Sequence, residues 1–193
     1  MSQSRVLVLV GSLRAGSVNR QVAETAAAVA PEGVELTIYE GLGDLPFYNE
    51  DVDVPGATIP GADELRAAAA ESDALLLVTP EYNGTIPAVL KNGIDWLSRP
   101  YGTGAVKDKP VAVISASPSP NAAKWAHDDT RKALGIAGGN VLDVELSIGG
   151  TIQKFGDQHP RENAEVAQQV AGVVAALVEA SKASKASEAL ANA

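Results

Sequence analysis

Two polar stretches carry the side chains that could do chemistry. "GSLRAGSVNR", Gly11 to Arg20, places Ser12, Ser17 and Asn19 as small hydrogen-bonding groups and Arg14 as a fixed positive charge. Ahead of a helix, such a loop suits a terminal monophosphate. The helix start offers free backbone N–H groups and roughly half a positive charge, which hold an anion without metal. The same residues also suit a plain cap, with Ser17 or Asn19 closing the helix and Arg14 as a surface charge. The loop alone leaves both readings open. "TPEYNGTIPAVLKNGIDWLSRP", Thr79 to Pro100, opens with Pro80, Glu81, Tyr82, Asn83 and Gly84. Pro80 and Pro87 stiffen its ends, and Gly84 permits backbone conformations or close approaches that a side chain blocks. A rigid loop with backbone donors and acceptors at fixed points suits the edge of a flat heterocycle. The alternative is a Pro-Asn-Gly turn in which Tyr82 is half-buried packing.

Other chemistries lack their residues. The first loop has no Lys-Ser/Thr to grip a nucleotide's phosphates and magnesium, and only Gly11 and Gly16 where a dinucleotide fingerprint needs three spaced glycines. Glu40 stands without that fingerprint and reads as solvated. With 0 Cys there are no disulfides, thiolate nucleophiles or Cys-ligated metals. His127 and His159 lack sequence neighbours at metal-ligand spacing and read as surface or satisfied histidines. Asp128 and Asp129 are adjacent and face different sides of a helix, so they form no acid pair. No Gly-x-Ser-x-Gly elbow is present. Lys91, Asp95 and Arg99 at i,i+4 spacing read as a salt-bridged ridge, with Leu90, Ile94 and Leu97 as the core face and Trp96 as core or a subunit contact. No catalytic side chain and no metal ligand is assigned.

The elements that position these loops alternate. Apolar runs at Arg5 to Val10, Val34 to Tyr39, Ala74 to Thr79, Val111 to Ser115 and Val141 to Ser147 predict strands. Between and after them, Asn19 to Ala30, Ala62 to Ser72, Thr85 to Ser98, Asn121 to Leu134 and Arg161 to Ala180 carry helical periodicity. This alternation predicts an α/β doubly wound parallel sheet with helices on both faces, and five strands favour the flavodoxin-like order 2-1-3-4-5. Ligands of such sheets lie beyond the carboxyl ends of the strands, which points to the loops after the first, third and fourth. The long connection Glu40 to Pro60, with Leu45, Phe47 and Tyr48, reads as a lid or subunit contact, or as a surface loop held by its own aromatics. The tail "SKASKASEALANA" is low in complexity, so the expectation is one domain over 1–180 and a frayed tail over 181–193.

The 193 residues, 46% hydrophobic, suit a single core. A formal net charge of -9 is a poor footprint for nucleic acid or an anionic membrane. No apolar run approaches the roughly 20 residues of a bilayer span, and the N-terminus lacks a signal-peptide core. A cytoplasmic protein is the expectation.

Taken together, the two loops resemble a known family. "GSLRAGSVNR" is similar to the phosphate loop of the NADPH-dependent FMN reductases, which include chromate, quinone and azo-dye reductases. "TPEYNGTIPAVLKNGIDWLSR" resembles their Pro-Glu-Tyr-Asn signature, with Thr85 in place of the usual serine, and "LPFYNED" resembles their second-strand loop. The resemblance covers Arg5 to Ala180. It implies that Ser12, Arg14, Ser17 and Asn19, with Val18 between them, hold the FMN phosphate. Pro80, Glu81, Tyr82, Asn83 and Gly84 would line the isoalloxazine ring, and Ser117 would reach the ring or ribityl chain from the other side. The chain departs from the family after the fourth strand. It reads Asn121-Ala122-Ala123-Lys124-Trp125 where a Gly-Gly pair and an arginine are common, which bears on how closely that loop approaches the flavin and sets Trp125 at the nicotinamide or acceptor pocket.

The implied activity passes hydride from NADPH or NADH to FMN and then to a small-molecule acceptor such as a quinone, azo dye, chromate or free flavin, by a ping-pong mechanism in a homodimer or homotetramer. The cofactor carries the difficult chemistry. Two rivals stand beside it: a flavodoxin-like electron carrier without room for a nicotinamide, and a flavin-free regulatory or scaffold protein on the same fold.

Overall fold

Runs of branched apolar residues without alternation build strands that are covered on both faces. In the computed structural model, which describes residues 4–191, these runs form β1 (Ser4–Val10), β3 (Ala74–Thr79) and β4 (Pro110–Ala116), while β2 (Val34–Ile38) lies outside β1. Every residue of β3 and β4 is buried. All pairings are parallel in the order β2-β1-β3-β4, with Leu7 opposite both Thr37 and Leu75, and Leu77 opposite Val113. Burying a leucine contributes about 1.5–3 kcal/mol, so Leu75, Leu76 and Leu77 make β3 the stable centre of the sheet.

The fifth position differs from the single strand the sequence predicts. It is shared by β5 (Asn140–Val141) and β6 (Leu146–Ile148), each parallel to β4. Between them the chain leaves the ladder, and the Arg131 guanidinium donates to the Leu142 and Val144 carbonyls. The order 2-1-3-4-5 is therefore kept, with its last member broken in two.

Helices cover both faces. On one, α1 (Val18–Ala28) and α6 (Ala164–Ala191) pack over Val8, Leu76 and Ile114. On the other, α2 (Pro60–Ala70), α3 (Ala88–Leu97) and α4 (Lys124–Ile136) pack over Leu9, Leu77 and Val113. A short α5 (Thr151–Phe155), which the sequence does not predict, follows β6 and buries Phe155. α3 starts at Ala88 rather than Thr85 because Thr85 belongs to a tight turn and Pro87 stands at the N-cap. A 3-10 turn over Pro160–Glu162 takes the first residues predicted for the last helix, and Asn163 Oδ1 then accepts from Val166 N.

α6 also runs on past Ala180, where the sequence predicts a frayed tail; the tail's last two residues lie outside the described ones. Alanine, lysine and glutamate favour the helix. Ser181 is buried, and Lys185 pairs with Asp73 just before β3 at 2.7 Å.

The long connection between β2 and α2 is fastened by α3 rather than by its own aromatics alone. Asn92 Oδ1 accepts from Tyr48 N at 2.8 Å, its Nδ2 donates to Pro46 O at 2.9 Å, and Trp96 Nε1 donates to the same carbonyl at 2.8 Å. Tyr48 meets the Trp96 ring edge-on at 5.0 Å, and Arg66 lies 5.1 Å from that ring while binding Asp53 through two oxygens. Trp96 is fully buried, the core placement of the two that the sequence allows.

Candidate active site

Because β1, β3 and β4 are neighbours, the loops leaving their carboxyl ends meet at one edge of the sheet. Gly11 N donates to Val78 O at 2.8 Å. A Cβ at Gly11 would come within 3.1 Å of Pro80 and 3.2 Å of Leu90, so the first two loops touch across this glycine.

In the first loop, Ser17 N donates to Arg14 O, and the Ser17 carbonyl accepts the first bond of α1 from Gln21 N. Ser17 occupies the N-cap, yet its side chain makes no capping bond. The capping reading is thus not realised, and the helix start keeps its capacity to bind an anion. Ser17 and Asn19 are 2% and 3% exposed. Asn19 Nδ2 donates to Ala116 O at the end of β4, which ties the first loop to the third, and its buried Oδ1 has no partner. Val18 packs against the core, Ser12 is half-buried and Arg14 is exposed.

Glu40 is not merely solvated. Its carboxylate oxygens take Arg20 Nη1 and Nη2 at 2.7 and 2.6 Å, and that guanidinium holds the Glu40 carboxyl below the usual carboxylate range. A polar cleft of about 450 Å³ lies between this pair, Ser12 and Arg14.

The second loop is a two-residue hairpin. Tyr82 N donates to Thr85 O at 3.2 Å and Thr85 N to Tyr82 O at 3.3 Å, while Asn83 (φ 52°) and Gly84 (φ 78°) take the left-handed conformation that an Asn-Gly turn provides. Pro80 is buried beneath it, and Tyr82 is 51% exposed at its shoulder. Glu81 turns away. Its Oε2 accepts from Trp125 N at 3.1 Å and Ala126 N at 3.2 Å, capping α4 from another loop. Thr85 Oγ1 donates to Asp129 Oδ2 at 2.7 Å, a second clasp between the same segments.

In the third loop, Ser117 Oγ accepts from Ser119 N and Ser119 Oγ accepts from Asn121 N, so both hydroxyls shape the turn. Ala122 (φ 56°) and Ala123 (φ 57°) are both left-handed, a conformation that glycine takes without strain. The Trp125 side chain emerges 60% exposed, its six-membered ring 3.6 Å from where a Gly84 Cβ would stand.

The structure brings all three loops together, and it adds roles that sequence reasoning missed. Asn92 as the fastener of the long connection and Glu81 as the cap of α4 act across 44–46 positions of chain, and no local pattern announces either. The fold also gives His127 a neighbour that its sequence surroundings do not show. Single ligand atoms of His127, Asp128 and Glu145 lie within 4.8 Å of one another. The Lys124 ammonium bridges the two carboxylates, and its bond to Asp128 lowers that carboxyl's pKa. His127 Nε2 lies 3.1 Å from Val113 O and so carries the proton, and burial lowers the ring's pKa. The cluster is one ammonium shared by two carboxylates beside a buried neutral imidazole. His159 is likewise satisfied, by Glu24 and by Arg161 N.

A cavity of about 700 Å³ opens beside the loops rather than between them. It lies between α3 and α4, with Tyr48, Ile94, Tyr101 and Ile136 on its walls.

The three loops can hold an extended ligand with an anionic end at α1 and a flat end at the Asn-Gly turn. Residues 4–153 match the family described as NADPH-dependent FMN reductase. A quinone reductase of Pseudomonas putida is 42% identical over 156 residues, covering 79% of this chain and 81% of that protein. A quinone reductase of Escherichia coli K12 is 32% identical over 158 residues, covering 82% and 84%. Among solved structures, FerB, a flavoenzyme NAD(P)H:(acceptor) oxidoreductase from Paracoccus denitrificans, superposes with a TM-score of 0.81 at 32% identity, covering 93% of this chain and 97% of FerB. The family match and these relatives agree, and the chain belongs to the NADPH-dependent FMN reductase family.

Proposed function

We infer that the chain is an FMN-dependent NAD(P)H:quinone reductase, with the net reaction NAD(P)H + H⁺ + quinone giving NAD(P)⁺ + hydroquinone. The observation that carries this reading is the start of α1: an N-cap whose side chain does not cap, beside a buried Asn19 Oδ1 without a partner, facing the Pro80-to-Gly84 hairpin. FMN, when bound, accepts hydride from the nicotinamide and delivers two electrons to the acceptor.

The chain's own residues bind, orient and exclude. The backbone N–H groups opening α1, with Ser12, Ser17 and Arg14, take the phosphate by charge-assisted hydrogen bonds. Asn19 Oδ1 is an acceptor and suits a hydroxyl of the ribityl chain rather than a phosphate oxygen. Pro80, Asn83 and Gly84 present main-chain groups to the ring, while the Glu81 carboxylate serves through α4. Ser117 offers its hydroxyl proton at the far side, since its Oγ only accepts within the third loop while its main-chain N–H and C=O bond Ile148 O and Thr151 N. Tyr82 and Trp125 border the open face, where nicotinamide and acceptor alternate. No side chain is needed as a general acid or base at the ring.

A homodimer or homotetramer of cytoplasmic location is part of the same reading. The face between α3 and α4, with Tyr101 86% and Ile136 75% exposed, is the surface that self-association would cover. No helix is long and apolar enough to cross a membrane among the described residues.

The test is anaerobic spectroscopy. Protein reconstituted with FMN and gel-filtered should keep the flavin's visible absorbance, bleach on NAD(P)H, and recover on adding one equivalent of benzoquinone. Flavin that elutes freely, or that only a protein donor can reduce, would refute the reading.

A further inference from the structure

Trp125 is a large apolar side chain left 60% exposed on the first turn of α4, beside the hairpin that would carry the flavin ring. Its main chain is anchored. The backbone N–H is held by Glu81 Oε2, the next N–H is held by the same oxygen, and Thr85 clasps Asp129 one turn further along α4. The indole's six-membered ring lies over Gly84, with only a glycine's bulk below it. Tyr82, also half exposed, belongs to the same hairpin. The neighbourhood is carboxylate-rich: Glu81 and Asp129 flank the indole's root, and the Lys124 ammonium is already engaged by Asp128 and Glu145.

From this geometry we propose that Trp125 is a specificity-determining residue for the electron acceptor. Its indole is a wall that stacks on a flat, uncharged acceptor, while the carboxylates around its root disfavour compact anions. The inference rests on the functional reading above and assigns its preference for neutral planar quinones over compact anions to one side chain. An aromatic contact of this kind is sensitive to shape, since offset or edge-on rings gain from it and a polyhedral ion does not.

The experiment compares FMN-loaded wild type with Trp125→Ala, Trp125→Phe and Trp125→Arg. Each is assayed with menadione, a neutral fused-ring quinone, and with ferricyanide, a compact anion. Loss of the aromatic contact in Trp125→Ala should raise the menadione KM about three- to tenfold with kcat at saturation little changed. Ferricyanide KM should move by less than about twofold, on the order of the scatter for a contact that anion never makes. Trp125→Phe should recover most of the menadione KM, and Trp125→Arg should shift the kcat/KM ratio toward ferricyanide. If wild type neither binds FMN nor oxidises NAD(P)H, the functional reading has failed. If wild type is active and the acceptor ratio is the same in all four proteins, only the role of Trp125 is overturned. Release of FMN by Trp125→Ala, seen as lost flavin absorbance after gel filtration, would overturn it equally by assigning the indole to cofactor retention.

Discussion

Replacing Ala122 by glycine should stabilise the protein, against the usual rule that glycine weakens a fold. Ala122 and Ala123 both sit at φ near 57°, in the region where an L-residue's Cβ crowds the following carbonyl. That crowding costs about 1–2 kcal/mol per residue. Glycine removes it but gives the unfolded chain more freedom, which takes back about 0.4–1 kcal/mol. At Ala122, only partly buried, the balance is a gain of about 0.5–1 kcal/mol. At Ala123, 1% exposed, the lost methyl forfeits about 0.8 kcal/mol more, so Ala123→Gly should be close to neutral. The contrast between neighbours with the same backbone angle isolates the two effects. Urea unfolding of FMN-free protein, followed by far-UV circular dichroism, gives the comparison, because bound ligand would add its own stabilisation. Ala122→Gly should raise the midpoint at unchanged m-value, and the melting temperature by about 1–4 °C. Ala122→Val should lose about 1 kcal/mol or more, because β-branching resists this conformation further. An Ala122→Gly protein less stable than wild type, or an Ala123→Gly protein gaining as much as its neighbour, would refute the reasoning.

Arg14→Ala should weaken FMN binding about tenfold to a hundredfold, the worth of a charge-assisted hydrogen bond, without altering the flavin spectrum. Gly84→Val, strained at φ 78° and directed at the Trp125 ring, should instead change the ring's absorbance envelope; fluorescence titration with FMN and with riboflavin separates phosphate from ring effects. Asn92→Ala leaves Tyr48 N without its partner and should cost about 1–3 kcal/mol, with limited proteolysis newly cutting between residues 46 and 58. His127 predicts a pH dependence. Burial holds its pKa below the usual value while the unfolded chain titrates near 6.5, so its contribution is complete above about pH 6.5 and is lost as pH falls through that value toward the folded pKa. Wild type should lose about 1 kcal/mol between pH 7.5 and 5.5 that His127→Gln does not, read from urea midpoints at the two pH values.

Much of this site is legible in the sequence, and the reason is local chemistry. Asn83-Gly84 specifies its own turn, Ser17 and Asn19 mark a helix start, and the apolar runs at β1, β3 and β4 can only be strands covered on both faces. What is not legible depends on partners far along the chain. Nothing near Glu81 says that its carboxylate will cap a helix beginning at Lys124, and nothing near Asn92 points to Pro46 and Tyr48. The fifth strand is misread for the opposite reason: Val141 to Ser147 has enough β-prone residues for one strand, but Asp143 turns to solvent, Glu145 turns to Lys124, and Arg131 takes the Leu142 and Val144 carbonyls. The extension of α6 shows that a low-complexity composition of alanine, lysine and serine can still be held in place by one ion pair and one buried hydroxyl.

The broken edge of the sheet has a consequence for how the protein behaves in crowded solution. An uninterrupted outer strand would offer a foreign strand a regular row of donors and acceptors on which to extend the sheet into aggregates. Here the row is cut after two residues on one side and three on the other. The acceptors in the gap are already taken by a guanidinium, and the fully exposed Asp143 carboxylate stands beside it. Arg131 thus protects solubility as well as geometry, and its loss would first show as slow, concentration-dependent turbidity rather than as a lower activity.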